Sequence, residues 1–429
     1  VLSVPLSDLP TDFRARALRW AAGFAHCAYF EPNGLDYPGG PFERLLAVAD
    51  AAPCAPARLR ELRGGLGGPP LAAPRCGFVT YDVKNQIEQL SSGNPSGLAW
   101  PELHFFTPQT WLQWRADAVA IHGPAPQETL QLILATVPPA PRPPMVPVMR
   151  PRMPKADYLA AVESVREDIL NGEVYELNLC QEFYAEAVAL DPVDVFERLN
   201  AASPTPFAGF CRWHEHYLLC ASPERFLAHY RPLIVSQPIK GTIRRGATPA
   251  EDEQQRQRLL HDEKERAENL MIVDLVRNDL ARVARPGTVR VPELFGLYPF
   301  RHVWQMISTV EAELRPDVDL VDVLRATFPM GSMTGAPKVR AMQLIEQYER
   351  SRRGLYSGCF GYVWPDGEFE FNVVIRSLQY RADTGYLSFQ VGSAITYDSE
   401  PEREYEECLL KARAMLEVLN SEIVELSNG

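Results

Sequence analysis

At 429 residues, with 46% hydrophobic and 23% charged side chains, the chain has an ordinary globular composition. It is long enough to bury roughly three quarters of its unfolded surface in about two or three domains. A net charge of -12 with no dense Lys/Arg block gives nucleic acid and anionic membranes no electrostatic hold, so an anionic substrate has to be met by local cations.

No window reaches the apolar length of a membrane span, and the opening residues, broken by Pro5, Asp8, Pro10 and Asp12, do not read as a signal peptide; the expected location is cytoplasmic. Eight cysteines are scattered without a C-x-x-C pair, which indicates buried free thiols rather than a zinc site or a disulfide framework.

Residues 1–136 are rich in Ala, Gly and Pro, and the cluster from Gly64 to Pro70 reads as a loop. Here Cys76 to Asp82 and Trp111 to Ile121 each have the pattern of a strand, and neither carries a catalytic set. From 137 to 154, proline recurs at 138, 139, 141, 143, 144, 147, 151 and 154, the composition of a semi-rigid extended connector. It divides an N-terminal region that contributes to a shared core from a catalytic region, 155–429.

Tyr158, Leu159, Val162, Val165 and Ile169 recur at helical spacing, and Asn171-Gly172 supplies a stop. Val174 to Tyr184 reads as a strand, Pro192 to Leu199 as a short helix, and Phe207 to Arg212 and Tyr217 to Ala221 as paired strands. Glu224 and Arg225, just beyond, have the look of a surface ion pair. The apolar run Leu233 to Val235 then leads into Ser236-Gln237-Pro238-Ile239-Lys240-Gly241-Thr242. Pro238 and Gly241 flank Lys240, marking a strand end where the backbone bends and can approach a ligand. A solvated turn lysine and one that reaches into a site both fit this stretch.

A long charged helix is expected from Pro249 towards Val283, with Glu265 and Glu268 on one face and the run Leu270 to Val273 buried. Any single carboxylate on so charged a helix also fits a solvated face. The Gly-rich run from Pro329 to Lys338 leads into a helix start and suits an anion, but it lacks the Walker spacing. Leu355 to Trp364, Glu368 to Tyr380 and Tyr386 to Val391 read as three strands joined by hairpin turns, with Asn372 and Arg376 on one face of the middle strand. The last helix starts at Ser399 with Glu402 placed for a capping box. Glu404, Glu407 and Lys411 form its polar stripe, with Leu409, Leu410, Met415 and Leu416 as apolar surface. If the two pairs of carboxylates face each other, their repulsion calls for a cation, and an all-oxygen set suits Mg²⁺.

The segments Glu268 to Asp274, Gly335 to Met342 and Arg353 to Gly358 resemble the chorismate-utilising enzymes, which include anthranilate, isochorismate, salicylate and aminodeoxychorismate synthases. The resemblance runs from about Lys155 to the C-terminus and is weaker before the connector. It implies an α/β fold of two large antiparallel sheets packed face to face with helices outside. Pro238-Ile239-Lys240-Gly241-Thr242, together with Asn178 and Gln181, resembles the aminodeoxychorismate branch, since anthranilate synthases carry alanine where this chain has Lys240.

That resemblance implies a synthase subunit that makes 4-amino-4-deoxychorismate, on the route to 4-aminobenzoate and folate, from chorismate and the ammonia of a glutamine amidotransferase subunit. Mg²⁺ is then held by Glu268 and Glu407, with Glu265 and Glu404 in support through water. Glu224 is the general acid, and Lys240 is a nucleophile with a lowered pKa. Gly241, Thr242, Tyr356, Arg376, Gly392 and Lys411 match substrate-binding positions. Gln305 replaces a histidine linked to pyruvate elimination, Ala394 replaces a glycine with uncertain consequences for a loop, and Lys338 fits a structural and a functional role equally. Anthranilate synthase component I and a non-catalytic homologue binding chorismate or tryptophan remain as alternatives.

Overall fold

A computed structural model describes residues 1–52, 56–65, 73–137, 139 and 146–424. Among these the chain forms two antiparallel sheets, of twelve and nine strands. The larger runs, edge to edge, through Leu2–Pro5, Ala118–His122, Thr110–Trp114, Leu45–Ala49, His26–Glu31, Phe207–Trp213, His216–Ser222, Ser377–Arg381, Tyr386–Ile395, Glu176–Ala185 and Gly335–Ala336. The smaller begins with Ile239–Arg244 at one edge and ends with Leu103–Phe106 at the other. Strands from both sides of the proline-rich segment enter both sheets, so the two sequence regions share one body. Residues 138 and 140–145 of that segment, most of the Gly64 to Pro70 cluster and Cys54 lie outside the described residues; Arg150–Pro151 pairs with Tyr184 and Phe183 at the end of the segment, and Gly64 and Gly65 end the helix Leu59–Gly65.

The alternating strands bury both faces. Between the sheets Phe30, from the larger, stacks on Phe360, from the smaller, with centroids 4.5 Å apart, and Phe42, Phe78 and Phe207 fill the same layer. Each such ring contributes on the order of 1.5–3 kcal/mol. Tyr158, Val162, Phe196 and Met415 cover the outer face of the larger sheet, and Ile272, Val276, Leu280 and Leu324 that of the smaller. The seven described cysteines are buried free thiols. No helix is long and apolar enough to cross a membrane among the described residues.

Several elements differ from the sequence reading. Trp111 to Ile121 is the hairpin of Thr110–Trp114 and Ala118–His122. The long charged helix is two, Pro249–Leu260 and Glu263–Ala281, because Asp262 caps the second by accepting from the Glu265 N–H at 3.1 Å. The strand read from Leu355 shortens to Cys359–Val363. The strand read from Glu368 to Tyr380 is also two, Phe369–Val373 in the smaller sheet and Ser377–Arg381 in the larger, with Arg376 at φ 52° where the chain crosses over. Asn372 therefore points between the sheets, donating to the Phe207 carbonyl at 2.9 Å, and shares no strand face with Arg376. The last helix is Pro401–Leu419. Ser399 does not cap it but accepts from the Thr396 N–H, and Glu402 pairs with Lys155. Leu270 and Leu410, read as apolar surface for burial, are 51% and 67% exposed.

Candidate functional site

The site lies where an edge of each sheet meets two helices. Glu263–Ala281 packs on Ile239–Arg244 and Val303–Glu313, and Pro401–Leu419 packs on Tyr386–Ile395. The register of Ile239–Arg244 slips by one residue between the pairs Ile239/Ile307 and Thr242/Gln305, which makes a bulge of Lys240 and Gly241. Gly241 sits at φ +98°, and a Cβ there would stand 3.0 Å from Met306 Cβ and 3.4 Å from Glu265 Oε2. Only glycine fits both the backbone and the space. Asn269 clamps the bulge, donating to the Lys240 carbonyl at 3.2 Å while accepting from Ser308 Oγ at 2.6 Å.

Lys240 is not a solvated turn lysine, since its side chain is 11% exposed. Its Nζ donates to Glu176 Oε1 at 2.8 Å and lies 4.0 Å from Glu268 Oε2. Burial disfavours the ammonium, but Glu176 and then Glu268 outweigh it and raise the pKa, opposite to the lowered value expected of a nucleophile. Glu176 is the residue that the sequence reading passed over.

Glu265 and Glu268 share a helix face, and the electrostatics bring them together with Glu407. Burial, then the charges of Asp262 and Glu407, raise the Glu265 pKa; burial, opposed by Lys240 and reinforced by Glu176 and Glu265, pushes Glu268 up to about 7. Burial works against ionised Glu407 too, but Lys411, 2.6 Å away, prevails and holds it below the usual carboxylate value. Lys264, 3.9 Å from Glu268, also senses Glu404, which is buried. The carboxylates of two helices thus share one space with three ammonium groups. Among the described residues no three acidic, His or Cys side chains are drawn together as metal ligands. The all-oxygen donor set fits a hard cation in its chemistry.

Glu224 and Arg225 do not form a surface pair. Arg225 is buried with both Nε and Nη2 on Glu370 Oε1, at 2.8 and 2.5 Å. Glu224 is 4% exposed and accepts from Ser332 Oγ at 2.8 Å. Its burial outweighs that donation and the Lys240 charge and pushes its pKa up to about 7, where a carboxyl can give up a proton. Ser332 comes from the run read as an anion loop, whose Gly335 and Ala336 instead pair with Leu177 and Glu176 as an edge strand. Lys338 resolves as structural: its Nζ donates to Asp279 Oδ2 at 2.5 Å and to the Thr327 carbonyl at 3.0 Å.

Arg376 has no hydrogen bond or ion pair to its guanidinium among the described residues. Its burial lowers the pKa against the pull of Tyr356 and Glu407. A half-buried cation without a side-chain partner is a place for an anion. Tyr356 and Gly392 meet at Cys180: its Sγ is 3.7 Å from the Tyr356 hydroxyl, and a Cβ on Gly392 would stand 2.4 Å from it. Lys411 donates to the Gly392 carbonyl at 2.7 Å. Thr242 is exposed on the lysine strand opposite Gln305, whose buried Oε1 has no partner. Asn178 donates to Cys180 Sγ at 3.1 Å, and both polar atoms of the buried Gln181 amide lack partners. Ala394 lies inside a strand, paired with Asn178, and not in a loop.

A lysine on a bulged edge strand, two acidic helices and an arginine without a side-chain partner among the described residues form one charged site in a two-sheet α/β fold. The chain belongs to the family described as chorismate binding enzyme, whose model matches residues 40–417. It is 37% identical over 356 residues to aminodeoxychorismate synthase component 1 of Klebsiella aerogenes, across 82% of this chain and 78% of that one. It is 39% identical over 262 residues to the protein of that name from Bacillus subtilis, across 61% of this chain and 55% of the relative. That match spans little more than half of the relative's length. Anthranilate synthase component I of Streptococcus pneumoniae TIGR4 is a solved neighbour with TM-score 0.74 and 28% identity, covering 91% of this chain and 89% of that chain.

Proposed function

We propose that the protein aminates chorismate at C4, forming 4-amino-4-deoxychorismate from chorismate and ammonia, in the cytoplasm and on the way to 4-aminobenzoate and folate. The ammonia comes from a glutamine amidotransferase partner subunit. The observation that carries this reading is Lys240 Nζ, 2.8 Å from a buried carboxylate and beside the acidic helices.

Glu268 and Glu407, supported by Glu265 and Glu404, would hold Mg²⁺, which would supply charge neutralisation for the ring carboxylate. Arg376, Tyr356, Thr242, Lys411 and the backbone at Gly241 and Gly392 bind and orient the carboxylates and the enolpyruvyl group. Glu224, protonated in its dry setting, gives its proton to the C4 hydroxyl, which leaves as water. The neutral Lys240 amine forms a bond to C2 as that hydroxyl departs; ammonia then bonds to C4 and expels the lysine nitrogen from C2. The net change is chorismate plus ammonia to aminodeoxychorismate plus water. The ammonium of Lys240, favoured at rest by Glu176 and Glu268, gives its proton to solvent before it attacks.

Forming anthranilate requires loss of the C2 proton and of the enolpyruvyl group as pyruvate. Gln305, an amide opposite Thr242, offers no base for that step. Incubation of the chain with chorismate, Mg²⁺ and ammonium tests the proposal. Aminodeoxychorismate without stoichiometric pyruvate is expected; anthranilate as main product would assign the lyase reaction instead, and absence of turnover would favour a non-catalytic role.

A further inference from the structure

Among the buried glutamates of the described structure, Glu176 is the one with a fully enclosed oxygen that has no partner. By contrast Glu31, Glu182, Glu349 and Glu370 have both oxygens bonded: Glu349, for example, accepts from Arg353 and the Cys180 N–H, and Glu370 from Arg225, Tyr230 and Tyr362. Glu176 is 0% exposed, Oε1 accepts from Lys240 Nζ at 2.8 Å, and Oε2 has no partner. A buried carboxylate oxygen left unsatisfied is unfavourable by about 1–3 kcal/mol, so a purely structural residue gains nothing from it. The free oxygen sits on the one side chain that holds the lysine.

We propose that Glu176 is the positioning residue for Lys240, aiming Nζ before attack and holding the cationic nitrogen that attack creates. This rests on the covalent reading above. When the neutral amine bonds to C2 and the C4 hydroxyl leaves as water with the Glu224 proton, the lysine nitrogen becomes a secondary ammonium with two N–H bonds. A carboxylate with two oxygens matches two such donors, and Oε2 is the acceptor held open for the second. The positive charge of the adduct rests beside a desolvated negative charge that formed no bond at Oε2 in the resting state, so the interaction strengthens as the reaction proceeds. Glu268 cannot serve in this way while it holds a cation. Glu176 is placed by backbone pairing with Ala336 on one side of its strand, which fixes the direction of its side chain independently of substrate.

The test compares Glu176→Gln and Glu176→Ala in the full chain, with chorismate, Mg²⁺ and ammonium. The expected result is a kcat lower by roughly 10²-fold for Gln and further for Ala, with the chorismate KM changed by less than about threefold, because Glu176 acts on Lys240 rather than on bound chorismate and its second oxygen is engaged only as the adduct forms. Gln exceeds Ala because its amide oxygen still accepts from Nζ. Rapid-quench mass spectrometry should show the Lys240 adduct accumulating more slowly in both variants. A kcat within about threefold of the parent in folded Glu176→Gln, or a loss confined to KM, overturns the positioning role. Aminodeoxychorismate made by the parent chain shows that amination itself stands in that case; a parent that makes none takes the functional reading down with it.

Discussion

Replacing Glu224 by glutamine keeps the shape of the side chain and an acceptor for Ser332 Oγ, but removes the proton that the C4 hydroxyl needs. The structure sets the size and the pH signature of the effect. Burial pushes the Glu224 pKa up to about 7, so the acid is mostly protonated at pH 6 and mostly ionised at pH 8. A group with that pKa falls from about 90% to about 10% protonated over this interval, so the kcat/KM supported by it falls about ninefold to tenfold as pH rises. The sign is fixed by the role: an acid works below its pKa, so the loss is on the alkaline side. Glu224→Gln should lower kcat/KM at pH 6 by about 10²–10⁴-fold and abolish this descending limb. The assay is initial rate of aminodeoxychorismate formation from pH 6 to 8 at fixed free ammonia, since ammonium itself ionises more as pH rises. Deprotonation of Lys240, whose pKa is raised by Glu176 and Glu268, adds an ascending limb that both proteins keep, so the Glu224 limb is read in the ratio of parent to variant, which should fall about tenfold from pH 6 to pH 8. A variant that retains the descending limb, or whose activity stays within about threefold of the parent at pH 6, refutes the assignment of Glu224 as the acid.

Three further outcomes follow from the geometry. Lys338→Met leaves Asp279, 6% exposed, without its partner and should lower unfolding stability by about 3–5 kcal/mol in denaturant titration, whereas Lys338→Met with Asp279→Leu should regain most of it; a single variant as stable as the parent contradicts the structural role. Gly392→Ala puts a Cβ 2.4 Å from Cys180 Sγ and 2.5 Å from the Leu179 carbonyl, so the strand has to move. The chorismate KM should rise and stability fall by about 1–3 kcal/mol; unchanged values of both contradict the close packing. Glu268→Ala should raise the Mg²⁺ concentration needed for half-maximal activity by at least about tenfold, measured by titrating metal into chelator-treated protein, and an unchanged requirement contradicts its role as ligand.

The sequence and the structure agree where a pattern is local and part where a contact is distant. The helix from Tyr158 to Ile169 and the paired strands around Cys211 and Cys220 need only periodicity and a turn. The break between Pro249–Leu260 and Glu263–Ala281 was signalled by Asp262 three residues before Glu265, a capping spacing lost within a run of charges. The Phe371 to Ile375 alternation fails at Arg376 because a left-handed residue sends the chain to the other sheet, and nothing in a period-2 pattern announces that. The acidic stripes are visible as i, i+3 pairs, but their convergence depends on two helices separated by more than a hundred residues. Glu176 illustrates the limit most sharply. It lies in a motif that the sequence reading used, yet its partner is a lysine 64 residues away in another sheet, and only the fold puts a carboxylate at 2.8 Å. The same contact explains why desolvation alone did not lower the lysine's pKa.

The central claim is that Lys240 forms a bond to the substrate, and intact-protein mass spectrometry under single-turnover conditions tests it most directly. Mixed with chorismate and Mg²⁺ and no ammonium, the protein should gain the mass of chorismate less one water, mapped to the peptide that carries Lys240. Added ammonium should discharge that mass as aminodeoxychorismate. Ammonium-dependent turnover at the parent rate by Lys240→Ala, with no adduct in the parent chain, would contradict the account.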